Sequence, residues 1–178
     1  MKPAAYVGTM LIGAFTSAAT VVVALVLERV TGYSLHSFTV WFIVPLGALI
    51  TGALAVSGFR FGAQWLSLYP GRWFLVVPLL AAAATWFGIY LGAYLTFTFE
   101  DGTALRDVVS FTTYVKVMIT QSQHSFVTAH GSASGISYGT WGYVHAAIQV
   151  LGVLGGAALF ADLPERPAPA PAPAPSAV

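Results

Sequence analysis

Four stretches of this chain are apolar for about twenty residues or more and contain no Asp, Glu, Lys or Arg: 6–27, 38–57, 73–97 and 141–161. A helix needs roughly 20 such residues to cross about 30 Å of hydrocarbon. Each stretch stops at a charge. Glu28-Arg29 ends the first, Arg60 follows the second, Glu100-Asp101 follows the third and Asp162 ends the fourth. Composition agrees, because only 7% of the 178 residues are charged, against about 25% in an ordinary soluble domain. Seven basic and six acidic side chains cannot cover a soluble surface of this size. The pattern predicts an all-α integral membrane protein with four transmembrane helices, occupying residues 1–163. Zero cysteines exclude disulfides, thiolate metal sites and a cysteine nucleophile. A net charge of +1 without a basic cluster leaves no footprint for nucleic acid.

Lys2, the apolar run after it and Ser17-Ala18-Ala19 also fit a short signal peptide. The run continues through Val21-Val22-Val23 to Leu27, longer than a signal core needs, so an uncleaved first helix is the preferred reading. Tyr6, Trp41, Trp65, Tyr69, Trp73 and Trp141 fall near the expected helix ends, where amphipathic rings favour the headgroup level. Four spans put both termini on one side with the 58–72 loop. That side holds Lys2, Arg60, Arg72 and Arg166, while Arg29, Arg106 and Lys116 lie opposite. The short Arg-flanked loop places both termini in the cytoplasm. Arg exceeds Lys five to two and Ala, Gly and Pro abound, a composition of GC-rich bacteria. The expected location is therefore a bacterial inner membrane.

Between the third and fourth spans, Glu100-Asp101-Gly102 reads as a turn. Ser110 can cap a short amphipathic helix from Phe111 to about Gln121, with Phe111, Tyr114, Val115, Met118 and Ile119 as its apolar stripe. A strand is the rival, because Val109, Phe111, Val115, Val117 and Ile119 also alternate. Gly131-Ser132-Ala133-Ser134-Gly135 reads as a flexible link, and 164–178 as an unfolded Pro-Ala tail tending to polyproline II.

Small residues four apart suggest close helix packing: Gly88 and Gly92, Gly152 and Gly156, and Ala48 and Gly52. Pro45 and Pro78 are expected to bend the second and third spans. His36, His124, His130 and His145 all fall on the outer side, with His145 inside the fourth span and Gln149 one turn further on. Their spacing fits no metal motif. There is also no nucleophile elbow, phosphate loop or dinucleotide fingerprint. No metal, cofactor or catalytic residue is therefore expected. The alternative is a haem- or quinone-binding anchor of a redox complex, with His145 and His36 as the cofactor-binding pair. A small transporter or channel is a third reading. It is disfavoured because the spans carry no ionisable residue besides His145.

Three short runs resemble patches of a group of uncharacterised small bacterial membrane proteins. Phe42-Ile43-Val44-Pro45-Leu46-Gly47-Ala48 looks like their IPxGA run, and Ser110-Phe111-Thr112-Thr113-Tyr114 and Gly139-Thr140-Trp141-Gly142-Tyr143 are similar to two others. The resemblance covers most of 38–160 and implies four spans. Some similar members carry a cysteine-bearing tail where this chain has Pro-Ala repeats. The resemblance implies no activity and no site residues. The expected role is that of a non-catalytic accessory, assembly or scaffold subunit, with the lipid bilayer and other membrane subunits or its own copies as partners.

Overall fold

The computed structural model describes residues 3–32, 34, 38–39, 44–121, 123–128, 131–137 and 139–161. Four long helices form its frame: α1 (Pro3–Thr31), α2 (Leu46–Trp65), α3 (Val76–Thr96) and, last in the chain, α6 (Trp141–Phe160). All four are long and apolar enough to cross a membrane, the third when counted from Trp73. Between α3 and α6 lie the single turn α4 (Leu105–Val108), helix α5 (Phe111–Gln121) and an antiparallel pair, β1 (Gln123–Thr128) and β2 (Gly131–Ser137).

Helix α2 is the centre of the bundle. It packs against α1, α3 and α6, and over half of its apolar window is buried. Helix α1 lies at the edge, with only 17% of its window covered. Lipid supplies no hydrophobic drive between helices, so contact depends on close packing and on polar links. The buried cluster is accordingly made of small side chains around a few large ones: Ala48, Val56, Phe59, Ala82, Val153 and Ala157. Several hydroxyls inside the spans are satisfied along their own helices. Thr20, Thr51, Thr85 and Thr96 each donate to the carbonyl four residues back, at 2.8 Å. Ser17, which also fitted the less favoured signal-peptide reading, lies within α1 and donates to the Ala55 carbonyl of α2 at 2.9 Å.

Helix α2 corrects the expected span of 38–57. It begins eight residues later and runs through Arg60 to Trp65. Pro45 is the reason. Without an N–H it suits a helix start and not a helix interior, and it occupies the N-cap. Arg60 is half-buried in the second half of the helix and does not end it. The expected bends at Pro45 and Pro78 are corrected by the same rule. Pro78 is the third residue of α3, just after a 3-10 turn at Arg72–Leu75, where it breaks no mid-span bond.

The connection after α3 starts as a tight turn. Gly102 has φ +84°, and the Thr103 N–H donates to Asp101 Oδ1 at 2.9 Å. That bond holds the Asp101 carboxyl below the usual carboxylate range. The expected link at Gly131–Gly135 is corrected, because its backbone lies in β2, paired with β1 from Gln123↔Ser137 to Thr128↔Gly131. The strand-favouring Phe126-Val127-Thr128 run supplies the partner edge. Trp41, His36, His130 and the Pro-Ala tail lie outside the described residues.

Candidate functional site

The side chains with most chemical capacity meet where α5 closes over α3 and α6. His145 and Gln149 are one turn apart on α6 and are both buried. Gln149 Nε2 stands 3.3 Å from His145 Nδ1. From α3, the Tyr90 hydroxyl donates to Gln149 Oε1 at 3.4 Å. In this orientation of the amide, Oε1 accepts from Tyr90 and Nε2 donates to Nδ1. A neutral His145 ring then carries its proton on Nε2. Tyr90 is held from its other side by Trp86, with ring centroids 4.7 Å apart. The chain Trp86–Tyr90–Gln149–His145 thus ties α3 to α6.

Helix α5 forms because its sequence supplies a cap and a stripe. Ser110 Oγ accepts the Thr113 N–H at 3.3 Å, and Phe111, Tyr114, Val115, Met118 and Ile119 turn inward. Phe111 meets Phe87 edge-on at 5.4 Å and Tyr94 at 5.3 Å. The Tyr94 hydroxyl donates to the Val109 carbonyl at 2.8 Å and fixes the chain just before the helix. At the far end, Gly142 of α6 lies directly against the Ile119 carbonyl. Burial pushes the Tyr114 phenol from 10.0 up to about 12, with a smaller push from the Glu28 carboxylate at the end of α1.

Between α3, α5 and α6 a groove of about 390 Å³ remains open. Trp86, Phe87, Tyr90, Val115, Ile119 and Tyr143 are among its lining, and Thr112 and Lys116 of α5 also border it. Both of these α5 side chains are exposed.

The small residues singled out from sequence lie at two helix contacts. A Cβ added at Gly52 would overlap the Val153 carbonyl, and one at Gly156 the Leu49 carbonyl. Gly152 faces Pro45 and Ala48, so all four residues belong to the α2–α6 contact. Gly88 faces Val21 and Gly92 faces Leu25, at the α1–α3 contact. A third small-residue contact went unread. Gly58 and Gly62 of α2 receive Thr16, Ile12 and Thr9 of α1, while Gly13 lies under the Phe59 ring. Its signal was the four-residue spacing of Gly58 and Gly62, hidden because the span was ended too early. Trp86 and Tyr90 were also passed over, although two aromatics one turn apart deep in a span differ from end anchors.

Of the proposed pair His145 and His36, only His145 falls among the described residues, and His124 is described only through its backbone in β1. Among the described residues, no three His, Cys, Asp or Glu side chains gather as a metal site would require. Searches against protein-family models, curated proteins and solved structures gave no match for this chain.

Proposed function

We propose that this chain is a non-catalytic multi-pass subunit of the bacterial inner membrane, with both termini cytoplasmic. Its role is to support assembly or to scaffold a larger membrane complex or homo-oligomer. The observation that supports this reading is that polar side chains link one span to another. Tyr90 bonds Gln149 across α3 and α6, with His145 bonded to Gln149 along α6, and Thr16 and Ser17 bond the Ala55 carbonyl across α1 and α2. These groups serve as links between helices, a role suited to a structural bundle. Helix α1 adds a lateral face of large apolar side chains, including Leu11, Phe15 and Val30, on which lipid or a neighbouring subunit can rest.

Purification in mild detergent, followed by mass spectrometry of whatever accompanies the chain, tests the role. The proposal expects a defined larger assembly, and a solitary monomer under every mild condition would oppose it. Helix-to-helix polar links are worth about 0.6–2 kcal/mol, so Tyr90→Phe, which removes the link to Gln149, should lower thermal stability by that order, and His145→Ala, which acts on that link only through Gln149, by less. The purified protein should show no Soret band. A haem spectrum lost in His145→Ala would replace this reading with the redox anchor.

A further inference from the structure

We propose that the groove between α3, α5 and α6 binds one anionic phospholipid, its acyl chain inside the groove and its phosphate on Lys116. The inference depends on the membrane placement of the bundle but not on the scaffold role. The cavity of about 390 Å³ is within the size range of sites for small lipophilic molecules. Its lining is mostly aromatic and aliphatic, which suits a hydrocarbon chain and offers little to a polar solute.

The head of the occupant is specified by α5. Thr112 and Lys116 are four residues apart on one helix face and are both exposed beside the groove. Among the described residues, Lys116 is the only charged side chain lining it. Its long stem can follow apolar surface while the ammonium reaches toward headgroups. Helix α5 belongs to the connection between α3 and α6, and its last turn lies against the start of α6 at Gly142, the end of the span that faces headgroups in the four-span arrangement. An apolar slot beneath an exposed cation matches an amphiphile with a tail and an anionic head.

Phospholipid adducts on the intact protein can be counted by native mass spectrometry from a neutral detergent. Phosphatidylglycerol should bind about fivefold more tightly than phosphatidylcholine, the factor one basic side chain gains near an anionic surface. Lys116→Gln should erase that preference, weakening phosphatidylglycerol binding more than phosphatidylcholine binding. Arg106→Gln, removing an exposed cation that does not line the groove, should preserve it. Filling the groove with Val115→Trp should reduce binding of both lipids, and the Lys116 variant decides the matter if that protein does not fold. Equal affinity of the wild type for the two lipids would overturn the proposal. So would a preference surviving Lys116→Gln, equal losses in the Arg106 and Lys116 variants, or tighter binding of a neutral quinone than of phosphatidylglycerol.

Discussion

At Gly52 and Gly156, one hydrogen in place of a methyl group sets how closely α2 and α6 approach. A Cβ at either position meets a main-chain carbonyl on the other helix, and backbone cannot rotate aside as a side chain can. Gly52→Ala and Gly156→Ala should each cost about 1–3 kcal/mol of stability in detergent. Gly155 is the internal control. A methyl there would sit 3.6 Å from the Leu49 side chain, an ordinary contact, so Gly155→Ala should change stability by less than about 0.5 kcal/mol. Thermal melting of the three variants separates a backbone contact from the mere presence of glycine. Sequence spacing made these residues visible as candidates. It could not say which helix each would face, because a four-residue repeat marks a stripe without naming its partner.

Tyr114 offers a second test at this scale. Its proton is held more tightly in the folded protein, where the phenol titrates at about 12, than in the unfolded chain at 10.0. Between those values the unfolded state has lost the proton and the folded state has kept it. Stability must therefore fall as pH rises through this window, and the contribution is complete below pH 10. Wild type should lose more stability than Tyr114→Phe from pH 10 to 12, and the difference between them should be constant at lower pH.

Among the elements, α5 shows what sequence can specify well. A capping serine, a 3.6-residue apolar period and a polar opposite face agree with one another. The helix spans Phe111–Gln121 as that agreement predicts, and the alternating strand pattern loses. Ser110→Ala should remove about 1 kcal/mol of capping and raise hydrogen exchange in the first turn of α5, while the amides of α2 stay protected. Unchanged exchange would mean that the aromatic contacts alone hold the helix start. Helix α2 shows the opposite case. The residues before Pro45 are at least as apolar as those after it, so the apolar pattern alone does not locate the start, and the missing N–H of proline does. The Gly131–Gly135 run was misjudged because flexibility was inferred from composition, although pairing is decided by the partner strand.

For the whole molecule, charge-free length made the four-helix frame legible, since lipid admits few other solutions. The site was legible only in part. His145 and Gln149 stand out on one helix face, but Tyr90 and Trp86 reach them from a helix more than fifty residues away in the chain. No local pattern reports such a meeting. The central claim is that α1, α2, α3 and α6 all cross the bilayer, which puts the 66–71 connection on one face and α4 with α5 on the other. Because the chain has no cysteine, single thiols can be introduced at exposed Gly71 and Val108 and treated with a membrane-impermeant reagent. In intact cells with a permeabilised outer membrane, the Val108→Cys protein should label and the Gly71→Cys protein should not. Inverted inner-membrane vesicles should give the reverse. Labelling of both positions from the same side would contradict the four-span arrangement.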